Sequence, residues 1–134
     1  MVFIDTNIFM YAAGKEHPNK IPSVNLLHKI ASGEVDACIN VEVLQEILHR
    51  YRHINRWEDG KAVYSLTCKI IPVILPVDTY IMEKCFNLLN KYSDIMARDA
   101  LHAAFCKNNS ITSMYSFDKD FDVFDSLTRI EPLI

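Results

Sequence analysis

The sequence predicts an α/β fold with a mainly parallel sheet. Short apolar runs of strand length alternate with longer segments whose apolar residues recur at helical spacing. Parallel neighbours in a sheet need crossover connections, and helices of this length supply them. The chain has 134 residues, half of them hydrophobic, which predicts that residues 1–134 form a single domain around one core.

The first strand is the unbroken apolar run at 2–4, which suits a strand buried on both faces of a parallel sheet. Apolar residues at helical spacing then predict a helix over about 8–13. A polar segment closed by proline, 15–22, is expected to be a loop. The next helix is expected at about 23–31, because its apolar residues share one face and Gly33 follows where a left-handed cap belongs.

A second short apolar strand is predicted at 35–39. A helix over about 40–55 follows, since an asparagine supplies its N-cap and one apolar stripe runs along it. The Glu-Asp-Gly run at 58–60 is expected to break the helical pattern. Beyond it, a helix at about 62–71 is expected to give way to a strand at 70–75.

Two amphipathic helices are predicted next, at about 79–89 and 93–108. An apolar strand is expected at 111–115. The carboxyl end is predicted to hold a short helical segment at 120–124 and an edge strand at 128–131.

Composition excludes several classes of protein. The three glycines are too scattered for a phosphate-binding glycine loop, and no apolar stretch approaches the ~20 residues that cross a bilayer. Fourteen basic against seventeen acidic residues give a formal charge of -3, which offers nucleic acid no overall attraction. Four singly spaced cysteines argue against a zinc site, and without an amino-terminal export pattern they predict free thiols and a cytoplasmic location.

Three aspartates are expected near the carboxyl edge of the sheet. Asp5 ends the first strand, Asp118 follows the fourth strand, and Asp99 lies in the first turns of a helix. Each alone could be a helix cap or a partner of the helix dipole. Converging carboxylates, however, stay ionised together only with a cation among them, and Mg²⁺ or Mn²⁺ suits an all-oxygen site.

Four segments taken together carry a family resemblance. They are Phe-Ile-Asp-Thr-Asn at 3–7, Val-Leu-Gln-Glu-Ile-Leu at 43–48, Arg-Asp-Ala-Leu-His-Ala-Ala at 98–104 and Ser-Phe-Asp-Lys-Asp-Phe at 116–121. In order and approximate separation they resemble the successive motifs of PIN-domain nucleases, among them the VapC-type toxin ribonucleases. The resemblance extends over nearly the whole chain and is weakest over 52–76.

The resemblance implies a three-layer α/β/α sandwich with a mainly parallel sheet of four or five strands. It implies an acidic quartet that binds Mg²⁺ or Mn²⁺, formed by Asp5, Glu46, Asp99 and Asp118. The implied activity is that of a ribonuclease, expected to be an endoribonuclease, in which a metal-activated water attacks the RNA phosphodiester in line. An antitoxin partner and a homodimer are further expectations, with an apolar surface on the amino-terminal helices as the interface for either.

Helix periodicity leaves two candidates for the glutamate ligand. Glu46 falls nearly opposite the apolar stripe, as a metal cleft outside the core requires, although a solvated ion pair with Arg50 would place it there too. Glu42 lies on the same polar side one turn earlier. It becomes the candidate ligand if the helix phase differs.

Further polar residues are expected around the quartet. Three could hold a carboxylate or a metal-bound water, or could serve in local turns and caps: Thr6, Asn7 and Ser116. Asp122 is a candidate extra member of the acidic group, whereas Asp120 with Phe121 looks like a structural part of its motif. His102 could orient Asp99, one turn before it, or pack against the sheet.

One basic cluster stands out, and its members share a helix face near Glu46: His49, Arg52, His53 and Arg56. This face could guide an RNA backbone toward the carboxylates, or it could simply be solvated. The two histidines lack the intervening glutamate of a metalloprotease, which argues against zinc.

Two other functions compete with a nuclease. A catalytically silent RNA- or protein-binding module of this fold would lack an acidic position, and none is missing. An aspartyl-phosphate enzyme would carry a second aspartate two residues after Asp5, where Asn7 stands. If four of the seventeen acidic residues bind metal, thirteen acidic residues remain against fourteen basic ones. The negative charge of the chain is then expected to be concentrated in the site.

Overall fold

The computed structural model describes residues 1–133. It contains five strands, namely β1 (Val2–Ile4), β2 (Ala37–Asn40), β3 (Val73–Leu75), β4 (Ser113–Tyr115) and β5 (Thr128–Ile130). All neighbouring strands in this part of the chain pair in parallel, in the order β3-β2-β1-β4-β5. The predicted α/β fold with a parallel sheet is confirmed.

Six α-helices flank the sheet within the described residues: α1 (Thr6–Ala13), α2 (Lys20–Ala31), α3 (Val41–His53), α4 (Trp57–Ile70), α5 (Thr79–Lys91) and α6 (Ala97–Asn108). A 3-10 helix, Lys119–Val123, precedes β5. Side chains of Asp5, Asn40 and Asp78 accept hydrogen bonds from the first turns of α1, α3 and α5, which fixes where these helices begin. None of the helices in residues 1–133 combines the length and the apolar character that a membrane span requires.

The central strand positions the functional site. β1 pairs with β2 on one side and β4 on the other, and both Phe3 and Ile4 are fully buried, as the unbroken apolar run predicted. The chain winds toward one edge through β2 and β3 and toward the other through β4 and β5. The strand order therefore reverses between β1 and β4, and the crevice beyond their carboxyl ends is where such sheets bind ligands.

Three predicted helix starts are wrong: α6 begins at Ala97 instead of near 93, and α2 and α4 begin earlier than predicted for physical reasons. α2 begins at Lys20, because Pro22 occupies its first turn, where a missing N–H costs nothing. α4 begins at Trp57, so the run at 58–60 opens a helix instead of breaking one. A Cβ on Gly60 would lie 2.6 Å from the Cβ of Tyr51, which means that the glycine allows α3 and α4 to pack closely.

Candidate active site

Four parts of the chain contribute acidic side chains to one cleft of about 360 Å³. Asp5 comes from the end of β1, Glu46 from α3, Asp99 from the first turn of α6, and Asp118 from the loop after β4. The structure thus places all four members of the predicted quartet along the same cleft, at the reversal point of the sheet.

Asp5 is buried and held at both oxygens. Its Oδ1 accepts a hydrogen bond from the backbone N–H of Thr6 at 2.8 Å, and its Oδ2 accepts one from the Ser116 hydroxyl at 2.6 Å. The residue is 6% exposed, and burial raises the pKa of its carboxyl above the ordinary value. An ionised Asp5 is therefore a costly group that a cation would stabilise.

Ser116 joins three parts of the cleft. Besides donating to Asp5, its hydroxyl oxygen accepts from Asn7 Nδ2 at 3.3 Å and from the backbone N–H of Asp118 at 3.0 Å. It supports a carboxylate and also forms a local turn bond, so both roles weighed from the sequence occur. Two buried oxygens of the cleft residues, Thr6 Oγ1 and Asn7 Oδ1, lack a hydrogen-bond partner within residues 1–133.

Three carboxylates lie close together. Asp99, Asp118 and Asp120 each offer an oxygen, and these oxygens all lie within 4.8 Å of one another. Burial, followed by the charges of Asp118 and Asp5, raises the pKa of Asp99 to about 6. Asp120, assigned a structural role from the sequence, is exposed and stands in this cluster.

Glu46 is held by a histidine. His102 Nε2 lies 2.8 Å from Glu46 Oε1, and the side chains are 1% and 11% exposed. Burial acts to raise the pKa of Glu46, but the hydrogen bond and charge of His102 outweigh it, so the pKa lies below the ordinary value. Glu46 therefore remains ionised at the edge of the core.

The contacts also discriminate among the alternatives for these residues. Glu42 is absent from the residues that line the cleft, and burial raises the pKa of its carboxyl. Glu46 bonds to His102 rather than to Arg50. His102 packs against Phe3 of β1 with ring centroids 5.0 Å apart, which agrees with the expectation that it packs against the sheet. The carboxylate that it contacts is Glu46 and not Asp99.

Asp122 lies elsewhere, contrary to the expectation of an extra acidic member. Both of its oxygens accept hydrogen bonds from Arg129, at 2.9 and 3.2 Å, and this bidentate pair lowers the pKa of Asp122. The side chain is absent from the cleft lining because the 3-10 helix turns it toward β5. It ties these two elements together.

The basic cluster on α3 divides between two surfaces. His49 and His53 line the acidic cleft, as predicted, and their rings are stacked with centroids 6.1 Å apart. Arg52 instead lies over the ring of Trp57 at 4.2 Å, and Arg56 bonds to Asp59 at 2.6 Å, so neither lines it. The prediction that all four face the carboxylates is wrong, since the turn into α4 draws the arginines away.

Sequence reasoning missed two arginines of the cleft. Arg50, considered only as a partner of Glu46, and Arg98, immediately before Asp99, both line it. Arg50 and Met10 also line a second cleft of about 630 Å³, whose lining includes Lys15 and the Arg56–Asp59 ion pair. The acidic cleft thus adjoins a basin whose lining includes basic side chains.

Comparison with known proteins identifies the family of this chain. The PIN domain family model matches residues 2–127. The chain belongs to the PIN domain family. Ribonuclease VapC13 of Mycobacterium tuberculosis is 35% identical over 130 residues, which cover 97% of this chain and 99% of the relative. Ribonuclease VapC2 of Methanocaldococcus jannaschii is 29% identical over 143 residues, covering 97% and 93%.

Solved structures share the fold of this PIN domain. The toxin VapC20 of Mycobacterium tuberculosis, described as cleaving the sarcin-ricin loop, aligns with a TM-score of 0.77 at 15% identity over 92% of this chain and 94% of its own. VapBC2 of Rickettsia felis, solved on a promoter DNA fragment, aligns with a TM-score of 0.75 at 17% identity over 98% and 99%. The predicted family and its α/β/α architecture are confirmed.

Proposed function

We propose that this PIN domain is a metal-dependent endoribonuclease and the toxin of a toxin-antitoxin pair. The observation that carries the proposal is the convergence of Asp5, Glu46, Asp99 and Asp118 on one cleft at the reversal point of the sheet. Relatives that match nearly the whole chain are named VapC ribonucleases. A catalytically silent module is not favoured, because every position of the quartet is acidic and lines the cleft.

The donor set suits Mg²⁺ or Mn²⁺. Its carboxylate oxygens are hard ligands, the pKa of Asp99 is raised by burial and by neighbouring carboxylates, and the buried Asn7 Oδ1 lacks a partner among residues 1–133. We assign the quartet as the residues that would hold the ion. A divalent cation supplies activation of water and charge stabilisation at the phosphate.

The chain's own residues prepare this site. Ser116 and the amide of Thr6 hold Asp5 in one orientation, and His102 holds Glu46. Arg50 and Arg98, on the cleft lining, are placed to bind phosphate oxygens and offset the acidic charge. The two arginines would bind and orient the substrate, and the other groups orient the carboxylates. The hydrolysis needs no protein nucleophile.

A circular RNA without free ends tests the proposal. We expect the protein to open this RNA into discrete linear fragments in Mg²⁺ or Mn²⁺ and to leave it intact in EDTA. A linear RNA of the same sequence is the control, since an exonuclease would degrade it and spare the circle. Cleavage that persists in EDTA would contradict the metal-dependent mechanism.

We propose that the RNA strand passes from the acidic cleft into the adjoining basin. The lining of the basin combines apolar side chains, including Tyr51 and Ile54, with cationic side chains. A nucleobase could pack on the apolar part of this lining while phosphates approach the cations. This path replaces Arg52 of the predicted RNA face by Arg50, while His49, His53 and Arg56 remain candidate contacts.

Arg50→Ala and Arg52→Ala form a matched pair for this path. Arg50→Ala is expected to weaken RNA binding and to reduce the dependence of log Kd on log salt concentration by about one phosphate contact. In the wild-type protein the Arg52 guanidinium lies over Trp57 instead of lining the cleft, so Arg52→Ala should leave that slope unchanged. Fluorescence anisotropy with uncleavable RNA measures both, and equal slopes for the two variants would contradict the path.

We further propose an antitoxin as the protein partner. An apolar groove of about 150 Å³ runs between α1, α2 and α4, on the amino-terminal helices expected to carry such an interface. Solved neighbours include a toxin-antitoxin complex from Klebsiella pneumoniae, which supports a partner of this class. A homodimer is also proposed, and Met82 and Phe86, exposed one turn apart on α5, offer it a second apolar surface.

A further inference from the structure

A chain of hydrogen bonds connects the amino end of α3 to Glu46. Asn40 Oδ1 accepts from the backbone N–H of Val43 at 3.0 Å. Asn40 Nδ2 lies 3.1 Å from His102 Nδ1, and His102 Nε2 lies 2.8 Å from Glu46 Oε1. Asn40 is fully buried and His102 is 1% exposed, so water does not compete for the bonds that Asn40 makes.

The helix cap determines which way the Asn40 amide points. As the N-cap of α3, Asn40 must present its oxygen to the N–H of Val43, which places its nitrogen against the His102 ring. An amide nitrogen can donate but cannot accept. His102 Nδ1 must therefore be the acceptor, and the ring proton of the neutral histidine lies on Nε2, facing Glu46.

We propose that Asn40 is a positioning residue, which fixes the tautomer of His102 and thereby makes His102 the hydrogen-bond donor that orients Glu46. The role of this positioning in metal binding rests on the proposed function, in which Glu46 is a metal ligand. The hydrogen-bond geometry itself does not depend on that function. The Asn40 side chain thus caps α3 and also orients a carboxylate of the acidic cleft through the His102 ring.

The contacts of the ring oppose a proton on Nδ1. A second proton on Nδ1 would face the donor of Asn40 at 3.1 Å. Turning the amide over would relieve that contact at the cost of the Val43 cap.

Nitrogen NMR of the metal-free protein at pH 8 tests the tautomer without RNA or activity. We expect the His102 signals to show an unprotonated Nδ1 and a protonated Nε2. Asn40→Asp keeps a capping oxygen for Val43 but turns the donor into an acceptor, so Nδ1 should become protonated in that variant. A protonated Nδ1 in the wild-type protein, or no change in Asn40→Asp, would overturn the proposal.

Metal affinity tests whether the tautomer matters to the cleft. Asn40→Ser retains a helix cap and removes the donor to His102, and we expect Mn²⁺ to bind about tenfold more weakly, within the 10–100-fold range typical of groups behind metal ligands. Asp78→Ser also leaves a serine at a helix cap, that of α5 away from the cleft, and should leave the Mn²⁺ affinity unchanged. Equal affinities for the two variants would contradict a role for Asn40 beyond capping.

These arms separate the inference from the proposed function. If the protein cleaves no RNA yet shows the expected tautomer and its change in Asn40→Asp, the proposed function fails and the positioning geometry stands. If cleavage and metal binding are normal but Nδ1 is protonated in the wild-type protein, the inference alone fails.

Discussion

Asp5→Asn is expected to reduce metal-dependent RNA cleavage by more than ~100-fold, because changes behind a metal ligand already cost about 10–100-fold. Asp5 lines the cleft, and both of its oxygens are already oriented by Thr6 and Ser116. Asparagine retains one acceptor oxygen for these bonds but removes the charge. The fold should therefore persist while the chemistry is lost. Cleavage rates under single-turnover conditions measure the effect.

Asp94→Asn is the matched control for this substitution. Asp94 is exposed in the segment before α6 and lies outside the cleft lining, so the same chemical change there should leave cleavage unchanged. Asp99→Asn should behave like Asp5→Asn, since Asp99 belongs to the clustered carboxylates. Cleavage at the wild-type rate by both cleft variants would overturn the assignment of the quartet.

Mn²⁺ is expected to raise the melting temperature strongly at pH 8 and weakly at pH 5. Ligand at about 100 times its Kd stabilises the fold by about 2.7 kcal/mol. For a chain of this size, roughly 3–5 °C per kcal/mol makes that a shift on the order of 10 °C. The ion needs ionised ligands, and Asp99, with a pKa of about 6, is mostly protonated at pH 5.

In the metal-free protein, the contribution of this site to folding stability should change with pH in the opposite direction. The folded pKa values of Asp99 and Asp5 are raised above those of the unfolded chain. Their contribution to stability is therefore fully present below the unfolded pKa, near 4, and is lost as the pH rises through the folded values, about 6 for Asp99. Thermal melts in EDTA and in Mn²⁺ at several pH values measure both effects.

Asp99→Asn is the control for these melts. It should remove most of the Mn²⁺ shift at pH 8 and flatten the pH dependence of the metal-free protein between pH 5 and 7. An equal Mn²⁺ shift at pH 5 and pH 8 in the wild-type protein would contradict binding through carboxylates of raised pKa.

Local signals were sufficient to predict most elements. The apolar run at 2–4 and the Asn40 cap each depend on adjacent residues, and both predictions agree with the structure. The boundaries at Lys20 and Trp57 were missed because Pro22 and Gly60 act there through position and packing, not as breakers. The role of Gly60 depends on its contact with Tyr51, which lies in another helix.

The same distinction applies to the site. Asp5 and Asp118 could be predicted because they follow parallel strands, and all strand ends meet at one edge. The bond between Glu46 and His102 spans 56 positions and leaves no local pattern. Arg52 was misplaced because helical periodicity gives an angle around α3 but cannot show that Trp57 lies beside it.

A Mn²⁺ soak of crystals, with the ion located by its anomalous scattering, tests the central claim most directly. The acidic cleft is expected to show a strong peak within bonding distance of carboxylate oxygens from Asp99 and Asp118, with Asp5 and Glu46 as the remaining ligands of the site. Occupancy should disappear in Asp99→Asn crystals. A peak bound elsewhere, with the cleft empty in a protein that still cleaves RNA, would contradict the account.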